Sequence, residues 1–352
     1  MRGWLLLPIA LVVAVLVALP AIALTESGLE KDLKEAAGFD LGECEPATNL
    51  ASPWKEGPSL TFDRDEPRAA TIGGKVYLAG GATGIEPVEN GHPMVIASDR
   101  LTRFDPRTGL YEELAPLPKA LNHIGLAAYR GDLYVLSGYG RRLDANTSKR
   151  FYRYDPQTDR WSRMPDMPAP RAAAAVGVIG DRLLVAGGAV NSVAQDDAFA
   201  FDFGTRRWSR LPEMPSRREH VGGAVAGGKL YVLGGRTPDS FATAVAERYD
   251  PRTQRWERLA PLPVPSGGLE AVAWNGRPIA VGGGDDEAGT VTGAVQELDP
   301  ASGKWTRLPD LRTPRHGHGV ALVGDELWVF GGSDCAYFNA TDEVESLNLA
   351  AP

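Results

Sequence analysis

The chain is short of the residues that most catalytic and metal chemistry draws on. Its 352 residues include two cysteines, five histidines and five methionines, and aromatic residues make up 8% of the total. No Ser-His-Asp order, phosphate-cradling glycine loop or metal-ligand spacing is visible, so neither an enzyme class, a metal nor a cofactor is assigned from motifs. Basic charge is also in deficit. Thirty-seven Lys and Arg stand against 45 Asp and Glu, a net charge of −8 and a pI near 5.3. That balance excludes a broad phosphate-tracking surface, and with it nucleic acid as a partner. Long apolar runs are absent except at the start, from Trp4 to Leu19.

What is present is glycine, 41 residues of it, and proline, 27, and the glycines fall in register. A glycine pair, or its equivalent, recurs at Gly80, Ser137, Gly187, Gly234, Gly282 and Gly331, each followed by a glycine. The period of about 47 to 57 residues is that of a repeat architecture. In five copies an Asp precedes an aromatic by six residues, the aromatics being Tyr111, Trp161, Trp208, Trp256 and Trp305. Each period holds four short apolar or aromatic segments divided by Gly, Pro or Asp turns, as in Val221–Val225, Lys229–Leu233, Ala244–Tyr249 and Trp256–Leu259, which predicts four strands and leaves no room for a helix. Segments such as Asp155-Pro156-Gln157-Thr158 are turns, since proline presets φ and Asp bonds the backbone ahead.

The last copy stops after its third strand, at Val344–Leu349, while Ser52-Pro53-Trp54 is a tryptophan strand with no glycine pair before it. Joining the two closes a ring of six four-stranded blades and leaves few open strand edges. These motifs, spread over residues 52 to 349, resemble those of kelch-repeat β-propellers. The expected fold is all-β, a six-bladed kelch-type propeller closed by an N-terminal strand that completes the C-terminal blade.

Residues 1–24 read as a signal peptide or an N-terminal membrane anchor. Arg2 precedes the apolar run, Ala21-Ile22-Ala23 fits a small-residue cleavage site, and residues 4–24 carry no charge and are long enough to cross a bilayer. Residues 25–49 form a linker and residues 50–352 the propeller. The expected location is extracytoplasmic, periplasmic or secreted, or alternatively membrane-anchored with the propeller outside. In such a compartment Cys44 and Cys335 are expected to pair and staple the closing strand to its blade, the alternative being two unpaired thiols.

Aligning the repeats also suggests a site. Sixteen positions before the glycine pair stand Arg64, Leu121, Arg171, Arg218, Ser266 and Arg315; two further on come Glu66, His123, Ala173, His220, Gly268 and Gly317; two beyond that, Arg68, Gly125, Ala175, Gly222, Glu270 and Gly319. Strand alternation would put all three sets on one face, lining the axial funnel. Arg64, Glu66, His123, Arg171, Arg218, His220, Glu270 and Arg315 are therefore the candidate ligand-binding residues, suited to an anionic small molecule or glycan. The other reading is that the arginines bond neighbouring backbone and hold the ring together. His316 and His318 are expected to pack between blades, and the long excursion Ala82–Ala97, with Glu86, Glu89, His92 and Met94, is a candidate binding loop.

Function is expected to be that of a monomeric binding module for a ligand or protein partner. The alternative is a sugar-active enzyme, implied by similarity in plan to kelch-type N-acetylneuraminate epimerases: Glu66 or Glu270 with His123 or His220 would move the proton and the arginines would clamp a carboxylate. The resemblance to galactose oxidase does not extend to a cross-linked Tyr-Cys copper site, because both cysteines have another use.

Overall fold

The computed structural model describes residues 48–89, 92–142, 146–336 and 338–351, with the side chains of residues 86–89 and 92–94 excepted. Residues 1–47, which hold the expected leader, most of the expected linker and Cys44, lie outside the described residues. Regular structure within them is entirely strand, in six four-stranded antiparallel sheets and three two-stranded hairpins; five of the four-stranded sheets run in chain order from one edge to the other. Blade one comprises Arg68–Ile72, Lys75–Ala79, Leu101–Asp105 and Leu110–Leu114; blades two to five repeat the plan, their first strands being Gly125–Tyr129, Ala175–Ile179, Gly222–Ala226 and Glu270–Trp274. Blade six joins Gly319–Val323, Glu326–Phe330 and Val344–Asn348 to Lys55–Glu56 from the other end of the chain, with Lys55 opposite Ser346 and Glu56 opposite Glu345. The first strands of successive blades touch one another all the way round, blade six against blade one included.

Six hydrophobic clusters lie at the six blade-to-blade interfaces, for example Phe151 and Tyr134 against Phe199 and Phe201, and Phe104 against Trp328 and Phe330. A blade alone would expose these faces, so each is stable only through its neighbours.

Two rings of hydrogen bonds accompany the packing. On the outside, the indole N–H of Trp161, Trp208, Trp256, Trp305 and Trp54 donates to a carbonyl of the preceding blade's exit loop, at Ala115, Pro165, Pro212, Ala260 and Pro309. Tyr111 completes the set by donating to Pro58. On the inside, the second residue of each glycine pair donates its N–H to the next blade: Gly81 to Leu121, Gly138 to Arg171, Gly188 to Arg218, Gly235 to Ser266, Gly283 to Arg315 and Gly332 to Arg64, at 2.7–3.0 Å. The first residue of the pair lies against the same carbonyl with φ near +60°. A Cβ at Gly80, Gly234 or Gly282 would come within 2.7 Å of it, which accounts for glycine there. Ser137, the exception, directs its Oγ to the carbonyls of Ser148 and Arg171, its one hydroxyl proton shared between them.

Candidate functional site

The four repeated arginines do not line the funnel. Arg64, Arg171, Arg218 and Arg315 are 0–1% exposed, and their heads point into the blades. Arg64 donates to the carbonyls of Gly80 and Arg100 at 2.6 and 2.8 Å. Arg218 reaches the carbonyls of Gly234 and Val245 and the buried carboxylate of Glu247 at 2.9 Å. Arg171 pairs with Asp197, and Arg315 with Glu343 and Glu345. Each arginine thus receives the preceding blade's N–H on its carbonyl, and two of them return a bond to their own blade's glycine turn. This corrects the expected ligand role of all four: they interlock the repeat.

The reason is a break in the strand that alternation could not reveal. The first strands begin only at Arg68 and its equivalents. The position two residues earlier is left-handed in every blade, with φ of 53° at Glu66, 52° at His123 and Ala173, 50° at His220, 64° at Gly268 and 60° at Gly317. That kink turns this one residue per blade toward the axis while sending the arginine the other way. The belt is tied together by backbone bonds from Glu66 to Gly317, Ala173 to His123, Gly268 to His220 and Gly317 to Gly268. Non-glycine residues in this conformation cost about 1–3 kcal/mol each, and such strain gathers at functional sites.

Three belt residues carry chemistry, and they meet. His123 Nε2 lies 3.4 Å from Glu66 Oε1, and the His123 and His220 rings pack edge to face with centroids 4.6 Å apart. One ligand atom each from Glu66, His123 and His220 falls within 4.8 Å of the other two, and the same holds for Asp65, Glu66 and His316. His123 Nδ1 faces Asn122 Oδ1 at 2.6 Å, and that amide is oriented by its own Nδ2, which donates to the Gly140 carbonyl. His220 Nδ1 likewise faces the Glu219 carboxylate. Burial, opposed by Glu66 and reinforced by His220, Arg68 and Arg236, pushes His123 down to about 3, so it is neutral at physiological pH.

His318 packs between blades as expected, beside Gly282 and Gly332. His316 does not. It is buried at the edge of the cluster near Asp65 and Glu66, and neither of its ring nitrogens has a hydrogen-bond partner.

Glu270 stands one layer deeper, ion-paired with Arg68, which also approaches Glu66 at 3.9 Å. Both line a cavity of about 110 Å³ whose wall includes Gly125, Val176, Gly223 and Val320. Arg236, at the mouth, pairs with Asp286 at 2.9 Å. Burial and the neighbouring Glu66 push the Asp65 carboxyl well up, toward its neutral form. The carboxylates of Glu66, Glu219, Glu270 and Asp286 still outnumber the guanidiniums of Arg68 and Arg236, both already paired, so the described residues around the cluster do not form the cationic funnel that the aligned arginines suggest.

Around the cluster rise the connections that follow the glycine pairs. Three are hairpins, Ala82–Glu89 with His92–Ala97, Ala189–Val190 with Val193–Ala194, and Gly284–Asp285 with Thr290–Val291. The side chains of Glu86, Glu89, His92 and Met94 lie outside the described set. Three of the large apolar side chains left exposed in the described chain stand on these connections: Ile96 at 41%, Val193 at 61% and Phe241 at 47%.

The KLHDC2/KLHL20/DRC7 Kelch-repeats domain matches residues 122–332. The Kelch-like protein terF of Aspergillus terreus is 30% identical over 150 residues, 40% of this chain and 32% of that protein; Kelch-like protein 36 of Mus musculus is 28% identical over 116 residues, 33% of this chain and 18% of that protein. The chain matches about a third or less of the length of these relatives. The solved structure of YjhT superposes with a TM-score of 0.68 over 82% of this chain and 95% of that one, at 17% identity, a likeness of fold.

Proposed function

Since the chain belongs to the kelch-repeat family, we propose that it is an extracytoplasmic binding module that receives a protein partner on its mouth face. The observation that carries this reading is the exposure of three apolar side chains, Ile96, Val193 and Phe241, each on the connection that follows the glycine pair of a different blade. Single exposed apolar residues are ordinary, but apolar groups gathered on the loops of one face of a rigid scaffold suit an interface with a polar centre. The apolar run and small-residue motif of residues 1–24 support export, by a signal peptide or a membrane anchor, and an oxidising compartment would support a Cys44–Cys335 disulfide holding the N-terminal segment to blade six.

The test is cross-linking of the full chain in its own extracytoplasmic fraction, wild type beside the Ile96→Asp/Val193→Asp/Phe241→Asp variant. The expected result is a defined partner recovered with wild type and reduced at least about tenfold in the variant, as loss of central interface anchors would give, with melting temperatures equal. Equal recovery by both, or no defined partner, contradicts the reading.

A second reading, an epimerase-like activity on an acidic sugar, is supported by one contact, the buried Glu66–His123 pair at 3.4 Å, an acid-base couple that would have to close by a few tenths of an ångström to pass a proton directly. The arginine clamp it requires is not formed by Arg64, Arg171, Arg218 or Arg315, which are buried in the blades. Interconversion of N-acetylneuraminate anomers or epimers followed by NMR, absent in Glu66→Gln, would favour this reading over the first.

A further inference from the structure

We propose that Glu66, His123 and His220 form a binding site for a divalent transition-metal cation on the propeller axis. The proposal is independent of the partner reading and would stand without it.

The donor set has the composition of an N/O metal site, two imidazoles and one carboxylate. Each imidazole is prepared for coordination by its other nitrogen. Nδ1 of His123 donates to Asn122 Oδ1, and Nδ1 of His220 donates to the Glu219 carboxylate. Both rings are thereby fixed in the tautomer that leaves Nε2 bare, the outer-sphere arrangement found around metal-bound histidines. His123 Nε2 then presents a lone pair to Glu66 Oε1 at 3.4 Å. Two acceptors facing each other in a buried site repel unless something positive lies between them. Ligand bonds of about 2.1 Å in a tetrahedron place neighbouring donor atoms about 3.4 Å apart, so the observed separation suits a cation bound by both.

A second observation lies alongside. His316, 6% exposed, and Asp65, 5% exposed, converge on the same Glu66, and both His316 nitrogens and Asp65 Oδ1 lack hydrogen-bond partners. Buried polar atoms are rarely left so, and a cation on Glu66 would give them a charge to face. The left-handed backbone that brings Glu66, His123 and His220 inward holds them on three blades of a closed ring, so the site needs no rearrangement to form. Three protein ligands leave at least one position open toward the mouth, where water or an oxygen ligand of a partner would complete the shell.

The experiment uses the untagged full chain, stripped with a chelator, desalted and titrated with Zn²⁺, and with Co²⁺ as a spectroscopic probe. The expected result is one equivalent retained after desalting, visible d–d bands for the Co²⁺ form, and loss of both in His123→Ala, His220→Ala and Glu66→Gln. Asn122→Ala, which leaves all three ligands in place, is expected to weaken affinity 10- to 100-fold, and this variant decides the matter should the ligand variants fail to fold. Failure of the wild type to retain either metal overturns the proposal. So does binding that is unchanged in the ligand variants and Asn122→Ala, or binding that is lost in His316→Ala but kept in His123→Ala.

Discussion

The backbone N–H of Gly332 donates to the carbonyl oxygen of Arg64 at 2.8 Å, joining the last repeat of the chain to the first. It is one of six equivalent bonds, and the same Arg64 sends its guanidinium back to the Gly80 turn of its own blade. Ring closure and the burial of the arginines are therefore one arrangement: a residue that locks two blades together is not available to a ligand.

Closure also depends on the tryptophan segment. Trp54 is 3% exposed, donates to Pro309 and packs in the cluster between blades five and six. Trp54→Ala is expected to destabilise the propeller by about 3–5 kcal/mol, as for other large-to-small core changes, measured by urea unfolding of the full chain.

The glycine turns are expected to rank by geometry. Gly234 has φ of 56° and a Cβ there would lie 2.6 Å from the Ser266 carbonyl oxygen, so Gly234→Ala should cost about 1–3 kcal/mol through strain. Ser137→Gly loses the hydroxyl bond to the Ser148 carbonyl but relieves a left-handed serine, and should cost about 1 kcal/mol or less. The same unfolding assay checks the order.

Acid stability has an identifiable contributor. The side-chain bond from Lys229, aided by the Arg252 backbone N–H, lowers Asp250 from 3.8 to about 2. A carboxylate with a depressed folded-state pKa adds stability that is complete above its unfolded value and is lost as pH falls through the folded one. Asp250→Asn should therefore flatten the fall in stability between pH 3.8 and about 2 and leave the slope near neutrality unchanged. Melting curves across that range read the effect.

Cys335 is 8% exposed in the connection after the last glycine pair. Non-reducing peptide mapping of the purified full chain is expected to recover it linked to Cys44. Reduction should lower stability by about 4–5 kcal/mol in the chain-entropy account of so long a loop. Recovery of both cysteines as free thiols contradicts the pairing.

The ring was readable because glycine pairs and the aromatics six residues after an Asp are demanded by sterics and by one indole or phenol bond apiece, and such demands leave fixed residue types. The site was only half readable. Glu66, His123, His220 and Glu270 do reach the axis, but alternation assumed an unbroken strand and drew in Arg64, Arg171, Arg218 and Arg315. Gly268 and Gly317 at the kinked position were the available clue. Glu66, His123, Ala173 and His220 concealed it, because residues with side chains seldom adopt left-handed φ without a surrounding structure that holds them there. His316 was assigned to the blade interface for the same reason, since its neighbour Gly317 is where the alternation fails.

Thermal unfolding with and without Zn²⁺, run on Arg218→Met and His220→Ala beside wild type, separates the two roles. A cation that binds only the folded state raises its melting temperature. Arg218→Met, which leaves Glu247 buried with only the Ser216 hydroxyl and no opposite charge, should melt well below wild type in chelator yet keep the full Zn²⁺-dependent rise. His220→Ala, which leaves Glu219 without its imidazole partner, should show no Zn²⁺-dependent rise above its own melting temperature in chelator. A rise lost in Arg218→Met and kept in His220→Ala would contradict the assignment of the arginines to the ring and of the histidines to the site.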